Sequence, residues 1–190
     1  MPSWRSSLAR ALHRNRSLAD SRYLQLATMR ADGRPANRTV VFRGFVDGTD
    51  ELKFVTDRRS EKVDQIRQAA WGEACWYFSK TREQFRIAGT LVLVEENSTD
   101  LALQQARQNS WQELSDAARS QFVWAYPGKP RVRQEDFDLA PPDPIEPLPH
   151  FCLLLLRPDH VDHLELRGNP QNRWIYTRPD QTWLVEEVNP

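Results

Sequence analysis

The 190-residue sequence has few cysteines, no excess of either charge and no long apolar run. Its two cysteines, Cys75 and Cys152, stand far apart and form neither a CxxC pair nor a zinc-ligand spacing. Small secreted domains that depend on disulfides are much richer in cysteine. The pattern is therefore typical of two buried thiols in a reducing compartment.

The charges balance, with 26 lysines and arginines against 26 aspartates and glutamates. Proteins that bind nucleic acid electrostatically carry a basic excess or a basic face. We therefore expect no nucleic-acid partner, although a local basic cluster would be enough to hold a phosphate group.

The longest apolar run, Phe151 to Leu156, is far shorter than the roughly 20 residues of a membrane-spanning helix. The first residues, Met1 to Arg5, lack the apolar stretch of a signal peptide. These features predict a cytoplasmic protein without membrane contact. The sequence also lacks the GxSxG, HExxH, P-loop and GxGxxG motifs.

Strand patterns dominate what is present. Runs of β-branched and aromatic residues between turn signals predict strands at 23–29, 39–45, 51–56, 73–78, 83–94, 151–157, 161–166, 174–177 and 183–188. Helical spacing occurs at the start of the chain, after Ser60, and at 101–107 and 111–123, which Asn109 and Ser110 separate.

These elements predict an α+β fold, mainly β, in which a barrel carries peripheral helices. Residues 1–190 are expected to form one domain. Five of the ten residues at 140–149 are proline, so we expect an extended, proline-rich excursion inside that domain. His160 and His163 would point to opposite faces of a strand, which favours exposed histidines and no metal site.

Basic side chains collect at the ends of predicted elements. Arg38 opens one strand, and Lys62 follows Ser60 at the start of a helix, whose free N–H groups carry partial positive charge. This combination suits a phosphate dianion. Gln84 lies in a neighbouring strand, where its amide could bond a heteroaromatic edge. Solvated charges at element ends are the alternative for each residue alone.

Four segments, RTVVFRGF, LKFVTDRRSEKVDQI, REQFRIAG and NRWIY, resemble successive flavin-contacting motifs of pyridoxamine 5'-phosphate oxidases. WRSSLARALHRNRS and SWQELSDAARSQFVWAYPGKPR are similar to the oxidase-related FMN-binding family common in cyanobacteria and plants. The resemblance covers most of the chain. It implies an FMN-binding split β-barrel and a homodimer with the cofactor at its interface.

The resemblance also implies site residues. Arg38 and Lys62 would bind the FMN phosphate, and Arg43 would stand where the family has a lysine near the isoalloxazine. The implied cofactor-binding set, part of it from the partner subunit, is Arg38, Thr39, Val40, Val41, Phe42, Arg43, Val55, Thr56, Lys62, Gln84 and Arg173. Tryptophans are expected in the core and the dimer contact, with Trp124 and Trp174 preferred for stacking on the flavin.

The chain departs from the oxidase motifs at several positions. Glu61 stands where the oxidase has an arginine, and would oppose a phosphate unless it turns away or pairs with Arg58 or Arg59. Asn169 and Gln171 stand where the oxidase has its substrate-binding arginine and histidine. Leu164 replaces the oxidase's tryptophan over the flavin. The flavin site is kept, whereas the charge that would hold pyridoxamine phosphate is lost.

The leading hypothesis is therefore an FMN-dependent oxidoreductase that acts on an unidentified small molecule, with no assigned catalytic acid or base. A genuine pyridoxamine/pyridoxine 5'-phosphate oxidase with an altered pocket is the first alternative. A non-enzymatic flavin carrier, or a split barrel that binds haem through His150, His160 or His163, is the second.

Overall fold

Strands and helices were assigned in a computed structural model that describes residues 3–180 and 182–190. The helices are α1 (Ser3–Asn15), α2 (Glu61–Gln68), α3 (Leu101–Gln112) and α4 (Asp116–Ser120), with a 3₁₀ turn at Gln134–Phe137. The strands are β1 (Tyr23–Met29), β2 (Pro35–Val41), β3 (Leu52–Asp57), β4 (Trp71–Phe78), β5 (Glu83–Val94), β6 (Phe151–Glu165), β7 (Asn172–Thr177) and β8 (Leu184–Val188).

Six of these strands close into a barrel. Antiparallel pairing runs in the order β2, β1, β4, β5, β6, and β3 pairs with β6. The ring is completed after β2, where the Arg43 N–H donates to the Lys53 carbonyl at 2.9 Å and the Lys53 N–H donates to the Gly44 carbonyl at 2.8 Å. β7 and β8 extend the sheet beyond the barrel. The fold is thus the mainly β split barrel with peripheral helices that the sequence predicts.

β6 joins the closed and open parts of the sheet. Residues 151–156 pair with β3, residues 160–165 pair with β7, and both halves pair with β5. The two separate strands predicted at 151–157 and 161–166 are therefore wrong. The chain stays in the sheet through Pro158 because the β5–β6 register shifts between Ala88 and Gly89, which leaves one β6 residue unpaired.

The barrel interior is filled by large apolar side chains. Trp76, Phe54 and Phe85 come from the strands, and Trp4 and Leu8 from one face of α1; all five are fully buried. Each such side chain contributes about 1.5–3 kcal/mol to stability through removal of apolar surface from water. Trp71 and Trp124 are 63% and 40% exposed and lie outside the core, so for these two only the predicted dimer contact stays open.

α3 continues through Asn109 and Ser110, so the predicted interruption there is wrong. The Ser110 hydroxyl donates to the Ala106 carbonyl one turn earlier, and the Gln105 amide donates to Asn109 Oδ1. The break instead follows Gln112, and the Ser115 side chain then caps α4. Residues 140–149 contain no helix or strand. No helix in the described part of the chain is long and apolar enough to cross a membrane.

β2 lies about four residues earlier than the predicted strand 39–45. It begins at Pro35 because β1 pairs with it along its whole length, from Tyr23 opposite Val41 to Met29 opposite Pro35. It ends before Gly44, whose φ of +110° is incompatible with a regular strand. Other predicted strand ends differ by one or two residues, as is usual for element boundaries.

Replacement of Gly89 by alanine should destabilise the barrel. A Cβ at this position would overlap the Arg157 carbonyl oxygen and lie 2.8 Å from Pro158 Cα, and both are backbone atoms that cannot rotate away. We expect Gly89→Ala to lower the free energy of unfolding by about 2 kcal/mol or more. Urea denaturation of the variant and the wild type measures this difference in the free energy of unfolding.

Gly48→Ala is the control, because its Cβ would have no atom within 4 Å. Its positive φ of +71° is the one source of strain for an alanine, so we expect the free energy of unfolding to fall by only about 1 kcal/mol. Equal losses in the two variants would contradict the steric explanation.

Candidate functional site

A cavity of about 480 Å³ opens beside the end of the barrel, within the size range of small-molecule sites. Its barrel wall is formed by Tyr23, Arg38, Thr39, Val40, Val41, Arg43, Val55, Thr56, Asp57 and Lys62. Its opposite wall is formed by Leu114, Ala118, Gln121, Phe122, Trp124 and Pro127. Eight members of the predicted cofactor-binding set thus line one cavity, and Trp124 lies across from them.

The barrel wall holds two cations that contact only neutral oxygens. Lys62 Nζ donates to Thr56 Oγ1 at 2.8 Å and to Ser60 Oγ at 3.2 Å. Arg38 donates to the Leu26 carbonyl at 2.9 Å, and its other contacts are side-chain oxygens of neutral residues. Neither cation forms an ion pair with any described carboxylate. The wall therefore keeps an uncompensated positive charge.

Burial and mutual repulsion oppose this charge. Burial lowers the pKa of Lys62 below its ordinary range, and the nearby Arg38 charge lowers it further. Burial likewise lowers the pKa of Arg38. An anion bound between the two side chains would offset both costs, and a phosphate group has the charge and the acceptor oxygens to do so.

The acidic residues near the cations are turned away or neutralised. The Glu61 side chain is 75% exposed; it accepts a hydrogen bond from Gln65 Nε2 at 2.7 Å and lies 3.7 Å from Arg30 Nε. Of the two alternatives for this side chain, turning away or pairing with Arg58 or Arg59, the structure thus favours the first. Arg59 instead binds Asp57, with 2.7 Å between Nη2 and Oδ2, and this hydrogen bond raises the pKa of Arg59.

Ser60 stands at the N-cap of α2, but its hydroxyl makes no capping bond. The hydroxyl donates to the Asp57 carbonyl at 2.8 Å instead, and its oxygen accepts a hydrogen bond from Lys62 Nζ. The predicted helix start is thus confirmed, while the serine side chain serves to hold the lysine.

Arg43 supplies a third cation to the cavity. Burial lowers its pKa, and the neighbouring Arg22 charge lowers it further. Its Nε is buried and has no hydrogen-bond partner. A buried guanidinium N–H without an acceptor costs free energy, which adds to the cost of placing this arginine beside the cavity.

Apart from Trp124, the opposite wall was missed by sequence reasoning, which treated 111–123 only as a helix. Arg59 Nη2 and His150 Nε2 both donate to the Phe122 carbonyl, at 3.0 and 2.5 Å. The Phe122 ring packs edge-on against Trp111 and Phe151. These contacts fix the wall to the barrel. The available signal was the spacing of Leu114, Ala118 and Phe122, which predicts one helix face. In the structure only Ala118 of the three lies in a helix, α4.

Three predicted site residues lie outside this cavity. The Phe42 side chain is buried in the core against Trp76, with 4.9 Å between ring centroids. Gln84 and Arg173 both pair with Leu164, on the two sides of β6, so these three side chains share the outer face of the sheet. Arg173 donates to both carboxylate oxygens of Asp162, at 3.0 and 2.8 Å.

His163 is 1% exposed, so the expectation that the strand histidines are exposed is wrong for this residue. Its ring stacks on Phe85 at 4.0 Å, and its Nε2 lies 3.1 Å from Glu83 Oε2. Although burial raises the pKa of Glu83, the hydrogen bonds from His163 and Thr81 outweigh it and lower that pKa. Glu165 brings a third potential ligand atom within 4.8 Å of this pair.

Comparison with known proteins agrees with this geometry. Residues 1–95 match the family model described as "Pyridoxamine 5'-phosphate oxidase, FMN-binding domain". A protein from Arabidopsis thaliana named "Pyridoxine/pyridoxamine 5'-phosphate oxidase 2" is 38% identical over 98% of this chain and 96% of its own length.

Solved structures resemble the chain along its whole length. A pyridoxamine 5'-phosphate oxidase-related, FMN-binding protein from Nostoc punctiforme PCC 73102 has a TM-score of 0.97 at 61% identity, covering 100% of this chain and 99% of its own. PhzG from Burkholderia lata 383, solved with tetrahydrophenazine-1-carboxylic acid, has a TM-score of 0.79 at 20% identity, covering 98% and 90%. The second likeness concerns the fold alone.

Lys62 is the residue expected to bind the FMN phosphate, and its lowered pKa predicts how FMN affinity would then depend on pH. A phosphate binds the protonated amine, so binding should raise this pKa back toward its ordinary range. FMN affinity should be highest below the pKa that Lys62 has in the FMN-free protein. It should fall by up to about tenfold per pH unit as the pH rises through that pKa. Titrations of FMN between pH 7 and pH 10 measure the slope.

Lys62→Arg is the control, because a guanidinium stays charged throughout this range. The same alkaline slope in both proteins would show that another group controls binding.

Proposed function

The chain belongs to the FMN-binding domain family of pyridoxamine 5'-phosphate oxidases, and on this premise we propose that it is an FMN-dependent oxidoreductase. The observation that carries the proposal is the pair Arg38 and Lys62, two half-buried cations on one cavity wall with no described carboxylate paired to either. We propose further that residues 1–190 form a single domain that includes the proline-rich excursion 140–149.

The cavity residues suit FMN in a definite orientation. Arg38, Lys62 and the Thr56 hydroxyl would bind the phosphate, and Val55 would contact the ribityl chain. The backbone of residues 39–41 would lie beside the isoalloxazine, with Arg43 near its N1/O2 edge. When bound, FMN supplies the redox chemistry.

The protein contributes binding, orientation and charge. Arg43 would stabilise the negative charge that develops near N1 and O2 on reduction, because a guanidinium in a partly dehydrated site interacts strongly with an anion. Phe122 and Trp124 would limit water on the opposite side. The set contains no residue that we assign as a general acid or base.

A homodimer with cofactor at the interface would bring in the remaining predicted residues. Gln84 and Arg173 lie on the outer sheet face, away from the cavity of their own chain. Gln84 of the partner subunit would bond the ring edge, and Arg173 of the partner subunit would reach the cofactor from the C-terminal region. The Asp162 carboxylate would hold the Arg173 guanidinium in place for that contact.

The substrate is a separate question from the cofactor. Asn169 and Gln171 carry no charge at the positions where the oxidase motif has arginine and histidine, which disfavours a substrate held there by its phosphate. The 38% identity to the Arabidopsis protein favours the second candidate, a genuine pyridoxine/pyridoxamine 5'-phosphate oxidase with an altered pocket. A small molecule without a phosphate group is the substrate class that we prefer.

The cytoplasm is the proposed location. Cys75 and Cys152 are both free thiols. Burial raises the pKa of Cys152 to about 12, so this thiol stays protonated and unreactive at neutral pH.

Arg38→Ala should weaken FMN binding at least tenfold, because it deletes a charge-assisted contact to the phosphate. Purified protein is titrated with FMN and followed by its visible spectrum. Arg34→Ala, which removes an exposed arginine on the β1–β2 turn, should bind FMN like the wild type. A wild-type protein that shows no flavin bands and no micromolar affinity would refute the cofactor assignment.

A turnover assay separates the two candidate functions. With pyridoxamine 5'-phosphate and oxygen, we expect the FMN-loaded wild type to form no measurable pyridoxal 5'-phosphate, because two charged substrate contacts are missing. NADH and NADPH are then tested as reductants of the bound flavin. Steady formation of pyridoxal 5'-phosphate would contradict this expectation and support the second candidate, a genuine pyridoxine/pyridoxamine 5'-phosphate oxidase.

A further inference from the structure

We propose that Gln65 is the positioning residue for the cofactor phosphate, acting through Arg38 on one side and Glu61 on the other. This inference rests on the proposed FMN function and adds a determinant of specificity to it. Gln65 does not line the cavity, and no motif of the sequence singles it out.

The Gln65 side chain is buried on the inner side of α2, with 5% of its surface exposed. Its Oε1 accepts two hydrogen bonds, from Arg38 Nη2 at 2.9 Å and from Thr28 Oγ1 at 2.6 Å. Thr28 Oγ1 in turn accepts from Arg38 Nη1 at 2.7 Å. The guanidinium is thereby held on its far side, which leaves its charge available to the cavity.

The other end of the same amide holds the acidic residue. Gln65 Nε2 donates to Glu61 Oε1 at 2.7 Å, one helical turn earlier in α2. The hydrogen-bond pattern fixes which end of the amide is oxygen, since the reverse assignment would place an NH₂ group against a guanidinium. One neutral side chain thus draws the guanidinium and the carboxylate to opposite ends of its amide.

Only a neutral side chain that both donates and accepts hydrogen bonds can fill this role at position 65. An aliphatic side chain would release both Arg38 and Glu61, and their attraction would then compete with the phosphate. A carboxylate would pair with Arg38 and cancel the charge that the phosphate needs. A neutral amide fixes the guanidinium without neutralising it, and so explains how the chain tolerates a glutamate at position 61.

The inference predicts an effect on the phosphate alone. Riboflavin has the same isoalloxazine and ribityl chain as FMN but lacks the phosphate, so the ratio of the two affinities isolates the contribution of Arg38 and Lys62. Gln65→Met keeps the approximate volume and removes both hydrogen-bonding ends. Gln65→Glu keeps the shape and adds a charge. Gln68→Met, at an exposed position of the same helix, is the matched control.

Full-chain variants are titrated with FMN and with riboflavin by flavin fluorescence, and their folding is checked by circular dichroism. We expect Gln65→Met to lower the FMN-to-riboflavin affinity ratio about tenfold, which corresponds to the loss of one or two hydrogen bonds to a charged group. Gln65→Glu should lower it further and recover part of it on acidification. Gln68→Met should leave the ratio within twofold of the wild type.

A second pair of variants keeps the test decisive if Gln65→Met fails to fold. Thr28→Val removes the other side-chain acceptor of Arg38 and leaves Gln65 intact, and should lower the ratio severalfold. Adding Glu61→Gln to Gln65→Glu should restore part of the lost FMN affinity, because it removes a nearby negative charge.

An unchanged ratio in the folded Gln65 and Thr28 variants would overturn the inference. Equal losses of FMN and riboflavin affinity would also overturn it, because they would indicate a purely structural role for the helix. A wild-type protein that binds neither flavin would instead refute the proposed function itself, so the two failures are distinguishable.

Discussion

The closure of the barrel depends on β6, which pairs with β5 along its length and with β3 and β7 in succession. Pairing with β3 brings Val55 and Thr56 to the barrel end where α2 begins. Pairing with β7 carries Leu164 and Arg173 to the outer face of the same sheet. One strand therefore determines both the cavity wall of this chain and the residues that it would offer to a partner.

The positive charge on the cavity wall follows from the partners of each charged side chain around it. Asp57 is held by Arg59, Glu61 is drawn toward Gln65 and Arg30, and Lys62 rests on two hydroxyls. The acidic groups thereby have partners other than Arg38 and Lys62, while these two cations remain half-buried and form no ion pair with a described carboxylate. Such a site would bind an anion with little rearrangement, because the cost of placing the cations is met during folding.

Local pattern predicted much of the fold, including β1, β5 and the start of α2, because each has a clear period or turn signal. It failed at β6, since a bulge that accommodates Pro158 depends on the facing strand. The order of the four motifs along the sequence, and the family that they resemble, predicted eight residues of the cavity's barrel wall. Gln65 and, apart from Trp124, the opposite wall could not be predicted, because their roles arise from packing between segments distant in sequence.

α3, α4 and the proline-rich residues leave the sheet after β5 and return at β6, so the wall that contains Phe122 and Trp124 is an insertion between two paired strands. Its attachment to the barrel uses main-chain oxygens, such as the Phe122 carbonyl that Arg59 and His150 contact. Main-chain acceptors survive side-chain replacement. A change of side chain at position 122 would therefore keep these two hydrogen bonds while altering the surface that this wall turns toward the barrel.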